Sequence, residues 1–277
     1  MRIYTDPHAL QAEALARRAR GERVGFVPTM GFLHTGHRSL MELARPRCDW
    51  LVVSIFVNPL QFGPSEDLSR YPRDPEGDAA LCAAAGVDAL LLPPTLYDAD
   101  HSTTVEVGGP SEGLCGASRP GHFAGVATVV ARLFGLVQPS FAVFGEKDYQ
   151  QLAVIRRLTR DLALPVEIVG GPLVRDTDGV ALSSRNAYLS PDERQRARTL
   201  SAGLFALQAA AAAGERRAEV LLSTAAARFA VDRLDYLELR AADDLSPLAT
   251  LDRPARALVA AFVGRTRLLD NVPVEPA

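Results

Sequence analysis

The sequence predicts an α/β protein: a doubly wound parallel sheet followed by a smaller C-terminal α+β domain. Three observations carry this. Short runs such as Leu51-Val-Val-Ser-Ile-Phe-Val57 are apolar at nearly every position, the pattern of strands buried on both faces. They alternate with amphipathic stretches through the first two-thirds of the chain, as helices covering both faces of a sheet require. After about Gly171 the alternation stops and the pattern changes.

In chain order, strands are predicted at 24–27, 50–57, 89–92, 142–144 and 166–169, and helices over 7–20, 37–45, 75–85, 125–137 and 149–162. The arrangement is Rossmann-like, and ligands of such sheets lie beyond the carboxyl ends of the strands. Gly170-Gly171-Pro172 reads as a boundary, giving domains over residues 1–172 and 173–277. A polar loop then runs to Ser190. Ser190-Pro191-Asp192-Glu193 is a helix start, with Ser at the N-cap, Pro in the first turn and Glu three residues on. An Ala-rich helix follows, then a second near 217–231 and two strand-like runs at 236–240 and 257–262.

The 277 residues are 48% hydrophobic and 23% charged, which excludes disordered, collagen-like and low-complexity classes. A formal net charge of −3 does not advertise a nucleic-acid partner. Cys48, Cys82 and Cys115, odd in number and widely spaced, make no disulfide framework, so a reducing cytoplasm is expected. The N-terminus lacks the apolar core of a signal peptide, and no run approaches the roughly 18 apolar residues of a membrane span. Of 30 basic residues only Lys147 is lysine. In a chain that otherwise uses arginine, it marks a place for a compact, rotatable ammonium.

Four segments carry chemistry. In Pro28-Thr-Met-Gly-Phe-Leu-His-Thr-Gly-His37 a strand ends, a glycine-containing loop follows, and His34 and His37 open a helix. Free N–H groups there would receive phosphate oxygens, with the imidazoles donating to developing charge. H-x-x-H without H-E-x-x-H or an evident third ligand does not read as a zinc site. In Val53–Gly63 a buried strand runs out into Asn58 and Gln61, whose amides suit a polar substrate. In Phe141–Gln151 Lys147 follows a strand and a glycine, flanked by Glu146 and Asp148; these hold its charge, contact ribose hydroxyls, or face solvent. In Val174–Leu189, Ser183, Ser184 and Arg185 form an oxyanion-binding cluster. A softer segment contains Arg119 and His122, suited either to substrate or to a subunit contact.

PTMGFLHTGH (28–37), VSIFVNPLQFG (53–63), RPGHFAGVATVV (119–130), FGEKDYQQL (144–152) and DGVALSSRNAYLS (178–190) occur in the order and approximate spacing of the pantothenate synthetase (pantoate–β-alanine ligase) family. The chain resembles that family over about residues 20–190. The H-x-G-H and S-S-R-N elements also resemble signatures of the wider class I aminoacyl-tRNA synthetase-like nucleotidyltransferase superfamily. The resemblance implies that ATP and (R)-pantoate form a pantoyl adenylate with release of pyrophosphate, and that β-alanine then expels AMP to give pantothenate. It makes the first domain nucleotide- and pantoate-binding, the second one that closes over the active site, and the enzyme a cytoplasmic homodimer.

By the same resemblance Met30, Gly31, Phe32, Leu33, His34, Thr35, Gly36 and His37 form an ATP-binding loop, with His37 as proton donor. Gly145, Glu146, Lys147, Asp148, Val174, Leu182, Ser183, Ser184 and Arg185 are further ATP positions. His34, His37 and Lys147 are the catalytic set. Gln61 contacts pantoate and β-alanine, Gln151 contacts pantoate, and Asn58 joins them as a pantoate contact. The chain departs from the family at Leu182, where methionine is common, and in the acidic stretch after Tyr71-Pro72-Arg73. No protein metal ligand is assigned there, and Mg²⁺ is expected on the ATP phosphates.

Overall fold

The computed structural model describes residues 1–64 and 66–277. Six parallel strands, β1 (Arg2–Tyr4), β2 (Val24–Thr29), β3 (Trp50–Ile55), β4 (Ala89–Leu91), β5 (Phe141–Gly145) and β6 (Glu167–Gly171), form one sheet in the order β1-β4-β3-β2-β5-β6. The helices along this part of the chain are α1 (Pro7–Ala19), α2 (Thr35–Ala44), α3 (Pro75–Ala84), α4 (Leu114–Ser118), α5 (His122–Val137) and α6 (Tyr149–Asp161).

All six residues of β3 are buried, as its unbroken apolar run requires. Successive residues of β2 serve opposite faces. Val27 joins Leu40, Met41 and Ala44 of α2, Cys82 of α3, and Phe141 and Val143 of β5 in one core cluster. Phe26 faces the other way, meeting Phe134 of α5 edge-on at 6.5 Å. From β2 the sheet grows through β3 and β4 on one side and through β5 and β6 on the other. The strand order therefore reverses at the β2/β5 pair, and crevices of such sheets open there beyond the carboxyl ends.

The chain divides into two units. One comprises Met1–Gly108, Arg119–Glu146 and Val154–Pro172; the other takes in Gly109–Ser118, Lys147–Ala153 and Leu173–Ala277. The second holds α7 (Pro191–Ala212), α8 (Ala218–Ala226) and an antiparallel sheet of β7 (Arg233–Ala241), β8 (Ala255–Val263) and β9 (Thr266–Val274), with β8 central. The start of α7 is the expected capping box: Ser190 N–H donates to Glu193 Oε2 (2.8 Å) and Glu193 N–H to Ser190 Oγ (3.2 Å).

One face of this small sheet presents Ala257, Val259, Ala261, Leu268 and Val272 to Leu200, Leu204 and Leu207 of α7 and Leu221 of α8. The opposite face is polar, with Tyr236, Arg240, Arg256, Arg267 and Asn271 related by the strand register. The segments 109–118 and 147–153 join the second unit by packing on this polar face. Arg256 lies over the Tyr149 ring at 4.2 Å, Tyr149 Oη donates to Ala242 O (2.8 Å), and Cys115 Sγ lies 3.2 Å from Tyr236 Oη.

The structure differs from the sequence reading at several elements. β1 and β9 are additional strands, and α4 an additional short helix. α5 begins at His122, three residues before the expected 125, and β3 stops at Ile55, so Phe56 and Val57 belong to the loop. No helix among the described residues is long and apolar enough to cross a membrane.

Candidate active site

The loop leaving β2 turns sharply: Gly31 has φ +90° and Phe32 φ +50°, two successive left-handed residues. Such a conformation is strained for phenylalanine and needs outside support. Asp78 of α3 supplies it. Its carboxylate, only 3% exposed, accepts the N–H groups of Phe32 (2.9 Å) and Leu33 (2.6 Å). Burial pushes the Asp78 carboxyl above its ordinary range, opposed by those two donors. Thr29 Oγ1 accepts from Gly31 N (3.3 Å) and donates to Ser54 O (2.8 Å), tying the start of the loop to β3.

The next two donors are satisfied by imidazoles. His34 is the N-cap of α2, its Nδ1 accepting from Gly36 N (3.2 Å), while His37 Nδ1 accepts from His34 N (3.3 Å). His37 N–H donates to His34 O (2.8 Å). The two histidines thus form a reciprocal capping box, with ring centroids 4.1 Å apart. Because each Nδ1 accepts, this network places the proton of each neutral ring on Nε2. It also corrects the expectation that backbone N–H groups here await phosphate. Those of Gly31, Phe32, Leu33, His34, Gly36 and His37 are already engaged, so imidazole Nε2–H groups are the donors this loop can offer an anion. Gly145, at the end of β5, lies beside Leu40 of α2, bringing the β5 terminus next to the histidine helix.

A second group in the same unit centres on Gln61. Its Nε2 donates to Met30 Sδ (3.0 Å), its Oε1 accepts from Asn58 Nδ2 (3.1 Å), and its backbone oxygen accepts from His122 Nδ1 (2.9 Å) and Arg119 Nη2 (3.3 Å). Arg119 is itself held bidentately by Glu66 (2.6 and 2.7 Å) and contacts His122 Nε2 (2.9 Å). Burial raises the Glu66 carboxyl, but Arg119 outweighs it and holds the group below its ordinary range. The turn 59–61 rests directly on α5 at Gly125, where any Cβ would collide with Leu60 O. One Nε2 proton and one Oε1 lone pair of Gln61 remain for a ligand.

Asn58 has none to spare. Besides Gln61, its Nδ2 donates to Gly125 O (3.1 Å), and its Oδ1 accepts from Leu60 N (3.3 Å) and Tyr97 Oη (2.9 Å). The expected pantoate contact is therefore corrected: Asn58, 1% exposed, positions Gln61 and has no free polar valence to reach substrate. Burial pushes the Tyr97 hydroxyl up to about 12, which keeps it a donor to Asn58.

In the second unit Lys147 Nζ lies 3.4 Å from Asp148 Oδ1, with the lysine side chain 20% exposed. Gln150 is structural: its Oε1 accepts from Cys115 N (2.9 Å) and its Nε2 donates to Pro110 O (3.1 Å) and Gly113 O (3.2 Å). Gln151 is half-buried, with no such partners among the described residues. Leu182 N–H donates to Val174 O (3.0 Å), pairing two expected ATP positions across a hairpin. Ser183 Oγ caps the turn that follows by accepting from Arg185 N (3.3 Å). The hairpin is pinned to α7 by Arg194, which bonds Asp178 Oδ2 and Asp176 Oδ2, both at 2.7 Å. Arg175 anchors it to β9 through Asp270 (2.7 and 2.8 Å). Asp78, Glu66 and Asp270 were not singled out by the sequence, since a lone acidic residue in a helix, loop or strand carries no local signal of what it will hold.

The pantoate-beta-alanine ligase family model matches residues 2–273. The chain belongs to this family. It is 56% identical over 280 residues to a pantothenate synthetase of Anaeromyxobacter dehalogenans (strain 2CP-C), covering 97% of each chain. It is 57% identical over 264 residues to one of Myxococcus xanthus (strain DK1622), covering 92% of this chain and 90% of the other. The solved pantothenate synthetase of Thermus thermophilus superposes with a TM-score of 0.94 at 49% identity over the whole of both chains. The pantoate-beta-alanine ligase of Francisella tularensis, complexed with beta-gamma ATP and beta-alanine, gives 0.80 at 31% identity, covering 98% of this chain and 97% of that one.

Proposed function

We propose that this chain condenses (R)-pantoate with β-alanine at the expense of ATP, through a pantoyl adenylate. Within the structure the observation that best supports the site assignment is the Gln61 amide, fixed at four points and bonded to Met30 of the double-histidine loop at the carboxyl end of β2. An acid-binding amide and an anion-binding loop are thereby held side by side in the first unit.

A carboxylate is a poor acyl donor because its leaving group would be oxide; adenylation replaces that with AMP. A pantoate carboxylate oxygen attacks the α-phosphorus and pyrophosphate departs. Negative charge then accumulates on the phosphoryl oxygens, so catalysis is positioning and electrostatics. His34 and His37 donate through Nε2–H, Lys147 supplies a mobile ammonium, and Ser183, Ser184 and Arg185 hold phosphate oxygens. Gly145, Glu146, Asp148, Val174 and Leu182 line the nucleotide, while Gln61 and Gln151 hold pantoate. In the second step the neutral amine of β-alanine attacks the acyl carbon, the acyl–phosphate bond breaks, AMP leaves, and the amine proton passes to solvent. Gln61 orients both the acid and the amine.

Among the described residues no three carboxylate, imidazole or thiol groups are assembled as a metal site. Mg²⁺ is accordingly proposed to be held by the ATP phosphates, neutralising part of their charge. Cytoplasmic location and a homodimer are proposed from the family resemblance. Product analysis with labelled β-alanine tests the whole reading. It is supported by equimolar AMP and amide, and contradicted by an adenylylated end product or by no ATP consumption.

A further inference from the structure

Three asparagines occur in the chain, and two lie in segments already described. The third, Asn271, sits in β9 opposite Leu258 of β8, 3% exposed. A buried amide in a strand is costly unless its polar atoms are used. Here they are. Its Nδ2 donates to the backbone oxygen of Lys147 (3.0 Å) and its Oδ1 accepts from Arg256 Nη1 (3.0 Å). The guanidinium can only donate, so it fixes which end of the amide faces Lys147. Arg256 is in turn stacked on Tyr149, two residues beyond the lysine. The strand therefore grips the 147–149 turn at two points. Next to Asn271, Asp270 is raised by burial and drawn back by Arg175 and, more weakly, by the Lys147 charge.

We propose that Asn271 is a positioning residue for Lys147, fixing through the lysine backbone carbonyl the point from which its ammonium reaches. This rests on the reading of Lys147 as an adenylation residue. A four-carbon side chain amplifies small backbone shifts, and a misplacement near 1 Å can cost about 10²-fold in rate.

Asn271→Asp keeps an acceptor for Arg256 but sets an oxygen against Lys147 O; Asn271→Ser shortens the side chain and serves if the first variant folds poorly. Lys147 is the only lysine, so protein grown on carbonyl-¹³C lysine gives a single lysine carbonyl resonance that reports the contact directly. Expected are a shift of that resonance, a ten- to hundredfold fall in kcat for pantoate-dependent pyrophosphate exchange with little change in the KM for ATP, and no further loss when the change is made in Lys147→Ala protein. An equal loss in both backgrounds, or a shifted resonance with wild-type exchange, overturns the role of Asn271. Wild-type exchange by Lys147→Ala itself would instead remove the reading of Lys147, and this inference with it.

Discussion

Replacing Asp78 by alanine tests whether the nucleotide loop is held from beneath. The carboxylate takes two backbone donors, Phe32 N–H at 2.9 Å and Leu33 N–H at 2.6 Å, on a turn with two left-handed residues. Removing it orphans both. At about 1–3 kcal/mol per unsatisfied buried donor, the expected loss is about 2–6 kcal/mol if the turn keeps its shape. A smaller loss means that the turn relaxes, and the missing stability then appears as a raised KM for ATP. Asp78→Asn retains one acceptor and should lose about half as much. Urea unfolding of the three proteins, with ATP kinetics alongside, is the assay. Wild-type stability together with a wild-type KM for ATP in Asp78→Ala would refute the argument. The pH dependence supplies an independent sign. The folded Asp78 carboxyl lies above its ordinary value of 3.8, so the native state binds more protons than the unfolded state in the window just above that value. Asp78 therefore makes stability fall as pH rises through the window, and in Asp78→Asn that component is absent.

Three further predictions concern the other charged groups. Lys147→Ala should lose about 10²-fold or more in pyrophosphate exchange, and Lys147→Arg should not restore it fully, because a planar guanidinium replaces a rotatable ammonium; equal rates for the Arg and Lys enzymes would contradict this. Glu66→Gln should weaken the hold of Arg119 on the Gln61 carbonyl and raise the KM for pantoate several-fold. Since Glu66 is held below its ordinary value of 4.5, the stability it contributes is present above that pH and lost as pH falls through the lowered value, and acid titrations of wild type and Glu66→Gln should differ only there. Arg175→Ala leaves Asp270 buried without its partner and should cost about 3–5 kcal/mol in a denaturant melt, whereas an unchanged midpoint would show the pair to be dispensable.

The sheet was legible because β2, β3 and β5 are apolar on both faces, a pattern few other contexts tolerate. β1 was not, being three residues at an edge with only Tyr4 buried. β9 escaped notice for a different reason. Its polar face carries Arg267 and Asn271 and its edge position admits Pro273, so Thr266–Val274 lacks a clean alternation. The histidine pair and the lone lysine could be read from residue type and spacing. How the histidines are used could not: both Nδ1 atoms serve the backbone, which only the shape of the loop reveals. Asn58 illustrates the same limit, since an amide at a strand end suits a substrate and a neighbouring glutamine equally well, and only the Tyr97, Gly125 and Gln61 contacts decide between them.

Oxygen transfer tests acyl adenylation most directly. With pantoate labelled by ¹⁸O in both carboxylate oxygens, attack on the α-phosphorus followed by acyl transfer to β-alanine must leave one ¹⁸O in the phosphate of AMP and one in the new amide. Mass spectrometry of AMP from a single turnover should show that one-atom shift. Unlabelled AMP, or ¹⁸O appearing in inorganic phosphate with ADP as the nucleotide product, would contradict the account.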